Sequence, residues 1–299
     1  MISIIIPTKN DFDLDKTLIS IEKNKKPEKT EIIVVDASEG NLDYIKKRFP
    51  KVRWIYFHNK TNKKRTFVEQ LNIGTKKAKG NVLVFVDGGC IVKEDWLYEL
   101  TKPILKENEE FVLGLVKPIG KSHHNWDKKT KYIESCGTAS TAIKKDVAVK
   151  IGERDTNFSF GSDIDFSWRA RSLGYKIRYV PNAVMYHDWG NWKNDIKRAL
   201  RYGEARVKLY KKHTYKIKSL FKSEEFFVLY YALFFLYVTS SIILTFFWLY
   251  YPIFILIPII RNIKNHPIRK LFFDFFFGAG ILKELVFPSK INNNHDSQK

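Results

Sequence analysis

Hydrophobic positions along this chain follow two regimes. Over the first hundred residues, short β-branched runs at 2–6, 31–36, 52–57 and 82–87 alternate with polar stretches at 14–25, 42–49 and 67–79. In those stretches apolar residues recur near helical spacing. This alternation predicts βαβ units and a mostly parallel sheet, in which ligands sit beyond the carboxyl ends of the strands. Pro7, Asp36 and Asp87 fall at those ends. The section 111–151 contains a further strand candidate at 112–116, then a polar stretch at 117–131 with Gly120, His123, His124 and Trp126, read as a loop near an acceptor. After Trp189, the residues Trp192, Ile196, Leu200, Gly203, Val207 and Tyr210 recur every three or four positions opposite basic ones. That stripe predicts an amphipathic helix, lying at a membrane interface or packed on the first domain.

The second regime is a run at 226–260 without a single Asp, Glu, Lys, Arg or His. As a helix it would be roughly 52 Å long, beyond one perpendicular crossing of an apolar core of about 30 Å. Lys218 and Lys222 precede it; Arg261, Lys264, Arg269 and Lys270 follow. Basic flanks on both sides favour a hairpin that returns to the cytoplasm, whereas breaks at Pro252 and Pro258 would give one span and an interfacial piece. The aromatic-rich stretch 271–287 carries Asp274, Lys283 and Glu284 and is expected at the interface; 289–299 is a polar tail expected to be disordered.

Charge refines this picture. The net charge of +20 would suit nucleic acid, but residues 193–222 hold eleven Lys or Arg against Asp195 and Glu204, directly before the apolar run. Each such residue near an anionic leaflet contributes about 1 kcal/mol, so the membrane accounts for the charge and no nucleic-acid partner is expected. Cys90 and Cys136 have no paired spacing, so neither a disulfide framework nor a thiolate metal site is suggested. Only six residues precede Pro7, too few for the apolar region of a signal peptide.

The candidate chemistry lies in Asp163-Ile164-Asp165-Phe166-Ser167-Trp168-Arg169, followed by Leu173-Gly174-Tyr175, Pro181 and His187. Carboxylates and a histidine recur there at a spacing that core packing does not require. Taken singly, several of these residues have ordinary readings. Asp36 suits a cap or turn, Asp87-Gly88-Gly89 suits a turn, and Trp168 suits a core. With Ser162 as N-cap, Asp165 stands at the third helical position of a capping box.

The order of the pieces is more specific than any one of them. Ile4-Ile5-Ile6-Pro7-Thr8-Lys9-Asn10, then Val34-Val35-Asp36-Ala37-Ser38, Phe85-Val86-Asp87-Gly88-Gly89-Cys90, Gly161-Ser162-Asp163-Ile164-Asp165, Leu173-Gly174-Tyr175 and His187 follow one another. In that succession the chain resembles the family 2 glycosyltransferases, inverting enzymes of the GT-A fold, over about residues 1 to 190. The resemblance implies a Rossmann-like α/β domain that binds a nucleotide-diphosphate sugar. Through it, Pro7, Thr8, Asn10, Asp36, Ser38, Arg65, Asp87, Gly88, Asp165, Trp168 and Arg169 are donor-binding candidates, and Asp163 is the general base. A carboxylate suits that task because the acceptor hydroxyl becomes acidic only as the new bond forms. The stretch Asp87-Gly88-Gly89 occupies the place of the family's D-x-D motif, so Mg²⁺ or Mn²⁺ would be held by Asp87 and His187, with Gly89 standing where the second acid belongs. Asn62, Asn72, Gly74, Ala78 and Gly80 resemble the helix before that motif and are read as fold determinants.

These readings give a GT-A catalytic domain at 1–190, a basic amphipathic helix at 191–222, membrane-associated helices at 223–288 and a tail at 289–299. The expected activity is sugar transfer to a lipid-linked or surface-glycan acceptor at the cell membrane, with the catalytic domain facing the cytoplasm. Two alternatives belong to other classes, a non-catalytic basic membrane scaffold and a nucleotidyltransferase on a related fold. The latter normally carries a Gly-rich basic loop after the first strand, which Pro7-Thr8-Lys9-Asn10 lacks. Oligomeric state and donor sugar are left open by the sequence.

Overall fold

The structure is a computed structural model of the 299-residue chain, and it describes residues 1–58, 66–120, 130–220, 251–264 and 266–289. The chain divides into two compact units, one of residues 1–120 and 126–188, the other of 121–125 and 189–299.

In the first unit, strands β1 (Ile2–Thr8), β2 (Thr30–Asp36), β3 (Arg53–Tyr56) and β4 (Val82–Phe85) alternate with helices α1 (Leu14–Glu22), α2 (Asp43–Arg48) and α3 (Phe67–Lys77). Then come β5 (Ile91–Val92), α4 (Trp96–Lys106), β6 (Phe111–Pro118), β7 (Tyr132–Ile133), β8 (Thr141–Lys144), α5 (Lys145–Ile151), α6 (Ser162–Ser172) and β9 (Ile177–His187). Among the described residues these strands form one sheet in the order β3-β2-β1-β4-β8-β6-β9-β5, with β7 paired to β9. The pairs β2–β1, β1–β4 and β3–β2 are parallel, as the βαβ alternation predicts. Beyond β4 the sheet turns mixed: β8 runs antiparallel to β4 and β6, while β6 and β9 are parallel.

Strand β1 is buried along its whole length because helices cover both faces of a parallel sheet, which is why it reads as a mainly apolar run, Ser3 excepted before Thr8. On α3, a Cβ at Gly74 would lie 2.4 Å from Cγ2 of Ile5, so this helix rests directly on the central strand. The core joins Ile5, Ile33, Val35 and Phe85 to Ile143, Phe166 and Tyr179. Carboxyl ends of β1, β2 and β4 therefore open on one edge, with β1 flanked on both sides.

The second unit contains α7 (Trp192–Lys212), a 3₁₀ turn and the short α8 (Ile217–Leu220), then α9 (Tyr251–Arg261) and α10 (Pro267–Val286). Asn191 caps α7, its side chain accepting from the Asn194 N–H at 3.2 Å. The stripe on α7 is covered in part by α10: Ala199 and Val207 pack with Phe273, Phe277 and Ile281. Gly203 is needed at that crossing, since a Cβ there would fall 2.1 Å from the Phe277 carbonyl oxygen, and one at Gly280 would fall 2.0 Å from that of Leu200. Burial is uneven along the predicted stripe, for Trp192 is exposed while Gly203 is buried. Asp195 is buried between Arg198 and Arg269, at 2.5 Å from each. Among the described residues no helix is long and apolar enough to cross a membrane. The expected run at 226–260 lies outside the described residues up to position 250, as do Lys222 and the tail from 290.

Candidate functional site

At the ends of β1 and β2, the register pairs Thr8 with Asp36. Asp36 is buried, and its Oδ1 accepts the Ser38 N–H at 2.8 Å in a local turn. Its other oxygen, Oδ2, is buried without a hydrogen-bond partner among the described residues, as is Oγ1 of Thr8. Ser38 Oγ accepts the backbone N–H of Asn10 at 2.7 Å, tying the loop after β1 to the loop after β2. Gln70 on α3 donates to the carbonyls of both Thr8, at 2.7 Å, and Val35, at 2.6 Å. Its carboxamide thus fixes the spacing of the two strand ends from below. Pro7, Thr8, Asn10, Asp36 and Ser38 are brought together here.

Two residues after β4, Asp87 opens a turn closed by the Cys90 N–H on its carbonyl, at 3.4 Å. Its Oδ1 is buried and has no partner among the described residues. Burial, then the charge of Asp163, push the Asp87 carboxyl up to about 7; Arg154 pulls it down and Asp11 adds to the rise. Gly88 faces the carboxylate of Asp11, on the loop before α1: a Cβ at Gly88 would lie 2.2 Å from Asp11 Oδ2. Gly89 adopts φ +75°, a left-handed conformation that side chains resist. Asp11 is itself raised, chiefly by burial, against a backbone hydrogen bond from Asp13 that lowers it. Ile91 pairs antiparallel with Tyr186, which carries the adjacent His187 toward this turn.

Asp163 stands on the first turn of α6, half-buried, with Oδ1 accepting the Ile164 N–H at 2.9 Å. It shares electrostatic influence with Asp87 and with Arg154, a residue that no pattern in the sequence marks. The Arg154 guanidinium is buried between the rings of Phe85, 4.9 Å away, and Phe166, at 4.3 Å. Burial lowers it to about 10, while the charges of Asp163 and Asp87 work in the opposite direction. Asn72 fixes its backbone, donating to the Arg154 carbonyl and accepting its N–H, both at 2.9 Å. The fold determinant expected at Asn72 is thus a clamp on a charged residue in the site.

Other candidates are placed elsewhere. Asp165 is fully buried and takes the Arg169 Nε at 3.0 Å; Arg169 also donates to the carbonyls of Ile151, at 2.6 Å, and Glu153, at 2.8 Å. This brace holds the segment that delivers Arg154. Trp168 is in the core. The cap of α6 differs from the expected box: Gly161, at φ 79°, is the N-cap, its carbonyl accepting the Asp165 N–H, and no side chain caps the helix. A chain that must enter α6 through a left-handed residue puts glycine there in preference to Ser162. Arg65, Asn62, His123, His124 and Trp126 lie outside the described residues. Cys90 and Cys136 are buried free thiols, and burial pushes Cys136 up to about 12. Among the described residues no group of three or more His, Cys, Asp or Glu side chains is arranged to hold a metal ion.

The sequence profile described as "Glycosyl transferase family 2" matches residues 3–168. The chain belongs to glycosyl transferase family 2. It is therefore an enzyme, a glycosyltransferase, which replaces the scaffold and nucleotidyltransferase alternatives. It is 22% identical over 226 residues to "Glycosyltransferase AglE" of Haloferax volcanii, covering 70% of this chain and 74% of that one. It is 26% identical over 250 residues, 74% of this chain and 77% of the relative, to a Methanococcus voltae protein. That relative is named "Dolichyl N-acetyl-alpha-D-glucosaminyl phosphate 3-beta-D-2,3-diacetamido-2,3-dideoxy-beta-D-glucuronosyltransferase". Among solved structures, the fold matches the mannosyltransferase PcManGT from Pyrobaculum calidifontis, determined with GDP-Man and Mn²⁺, at a TM-score of 0.70 and 14% identity. That likeness covers 97% of this chain and 88% of the other. Against S. aureus TarS the TM-score is 0.53 at 15% identity, over 71% of this chain, which spans 43% of that longer structure. The α/β unit is thus a GT-A-like fold.

Proposed function

We propose that the enzyme moves one sugar from a nucleotide-diphosphate donor to a lipid-linked or surface-glycan acceptor, with inversion, at the cytoplasmic face of the cell membrane. The observation that carries this reading is the mutual electrostatic influence of Asp87, just beyond the end of β4, Asp163 on α6 and the buried Arg154. Asp36 Oδ2 and Thr8 Oγ1, both buried and unpaired among the described residues, suit the hydroxyl and N–H donors of a nucleoside. Asn10 and Ser38 fix the loop beside them, and Asp163 takes the proton of the acceptor hydroxyl. As that oxygen bonds to the anomeric carbon, the bond from carbon to diphosphate breaks on the opposite side. Arg154 offsets part of the negative charge that the two acids and the departing diphosphate bring together. Asp165, Arg169 and Trp168 act in this scheme by positioning α6.

A divalent cation, Mg²⁺ or Mn²⁺, fits at Asp87: its buried Oδ1 has no hydrogen-bond partner among the described residues, and the turn that follows it faces a second carboxylate, that of Asp11. When bound, the cation neutralises charge on the diphosphate. His187, next to Tyr186 in the strand that pairs with Ile91, is the ligand the family resemblance assigns beside Asp87. The complex with GDP-Man and Mn²⁺ in PcManGT supports this choice, and the dolichyl-linked substrate in the name of the M. voltae relative supports a lipid-linked acceptor. Membrane attachment rests on the run at 226–260, on its basic flanks, and on the exposed Ile255, Leu256, Ile257 and Ile260 of α9.

The test is release of nucleoside diphosphate from UDP-, GDP- and dTDP-sugars by the full chain with a polyprenyl-phosphate glycan acceptor. The anomeric configuration of the product is then read by NMR. Transfer with inversion is expected; a retained configuration would refute the displacement, and absence of transfer with every donor would refute the proposed substrate class. Single cysteines at positions 222 and 264 should both be protected from an impermeant label in intact cells. Labelling of 264 alone would favour one span over a hairpin.

A further inference from the structure

The family's motif calls for two acids, and this chain has glycine at the second. The surroundings of that glycine show why an acid need not be there. An ideal Cβ at Gly89 would stand 3.4 Å from Oδ2 and 3.5 Å from Oδ1 of Asp11, so that the carboxylate of Asp11 occupies the space into which a side chain at 89 would extend. Gly88 makes this approach possible, since any Cβ at 88 would collide with the same carboxylate. The loop holds Asp11 in place: Oδ1 accepts the Asp13 N–H at 3.1 Å and the Asp11 carbonyl accepts the Leu14 N–H at 3.2 Å. Oδ2 is thereby aimed at the turn that begins with Asp87, whose own Oδ1 is buried and unpaired among the described residues.

We propose that Asp11 supplies the second carboxylate of the cation and diphosphate site, replacing from the β1–α1 loop the acid that Gly89 lacks. The two glycines and Asp11 form one device. A small, left-handed turn admits a carboxylate from a different loop, and two protein oxygens with the diphosphate satisfy a hard cation that keeps part of its water. This also accounts for the scarcity of protein ligands, because a cation held between one or two carboxylates and substrate phosphates needs no larger cage. The inference rests on the donor and cation reading above.

The test is Mn²⁺ binding to the full chain in detergent, followed by the EPR signal of free Mn²⁺ during titration, with UDP or GDP present. Parent, Asp11→Asn, Asp11→Ala, Asp13→Asn and Asp87→Asn are compared, and metal-free nucleotide binding by calorimetry reports whether each variant is folded. Both Asp11 variants should bind Mn²⁺ at least ~10-fold more weakly, as loss of a metal-supporting group does. Asp13→Asn should match the parent, and metal-free nucleotide binding should be retained in the Asp11 and Asp13 variants. Mn²⁺ affinity within twofold of the parent in Asp11→Asn, with binding lost in Asp87→Asn, overturns the role of Asp11 and leaves the cation reading standing. A parent that binds no Mn²⁺ with either nucleotide overturns both.

Discussion

Buried carboxylates are treated differently in the two units. In the helical unit, Asp195 is 2% exposed and answered by two guanidiniums, Arg198 and Arg269, at 2.5 Å each. In the α/β unit, Asp36 and Asp87 each keep a buried oxygen for which the described residues offer no partner. A desolvated charge costs several kcal/mol unless it is paired, so the first arrangement is a brace and the second is costly without a ligand. Asp165 with Arg169 shows that the α/β unit can also pair a buried acid fully. Among the described residues, the buried carboxylate oxygens without a hydrogen-bond partner are those of Asp36 and Asp87, at the edge at which a parallel sheet receives ligands.

The largest effect expected from breaking this contrast is at Asp163. Asp163→Asn should lower kcat by ~10² to 10⁴ while nucleotide-sugar affinity stays nearly unchanged, because only the proton acceptor is removed. Turnover within a few-fold of the parent in a steady-state assay would end its assignment as base. Second is Asp195→Ala, which strands two arginines and should destabilise the helical unit by about 3 kcal/mol in chemical denaturation, with donor affinity unaffected. Gly203→Ala ranks next, at about 1 to 3 kcal/mol, since its methyl group must displace the Phe277 carbonyl. A stability equal to that of the parent would show the two helices free to move apart.

Per unit step, the smallest effect is a slope in pH. Asp87 has its folded-state pKa raised from 3.8 to about 7, so between those values the native state holds a proton that the unfolded state has released. Stability without metal should then fall as pH rises from about 4 to 7, by up to about 1.4 kcal/mol per pH unit. Asp87→Asn should flatten that profile, and a profile unchanged by the substitution would place the titration elsewhere.

How legible these regions were in the sequence follows from the range of the contacts. Strands β1, β2 and β4 announce themselves because burial on both faces selects consecutive apolar residues, many of them β-branched. Asp36, Asp87 and Asp163 stand out because each sits in a local motif beside a strand end or helix start. Arg154 does not, since what defines it is its approach to Phe85, Phe166 and Asn72, the last 82 residues away in the chain. Gln70 and Asp11 are hidden for the same reason: one bridges two strand ends, the other meets a turn from a separate loop. Ser162 with Asp165 matches a capping pattern, yet the left-handed entry at Gly161 decides the cap. On α7 the stripe was readable but its partner was not, for α10 lies beyond the long apolar run.

The central claim, that unpaired buried carboxylates mark the donor site and paired ones do not, is tested most directly by one calorimetric comparison. UDP and GDP are titrated into the parent, Asp36→Asn and Asp195→Asn in the full chain. Asp36→Asn should bind the preferred nucleotide about 10-fold more weakly, the loss of one hydrogen bond to a charged group, with its thermal stability equal to or above that of the parent. Asp195→Asn should bind like the parent while melting earlier. Parent-like affinity in Asp36→Asn, or weakened affinity in Asp195→Asn alone, would contradict the claim.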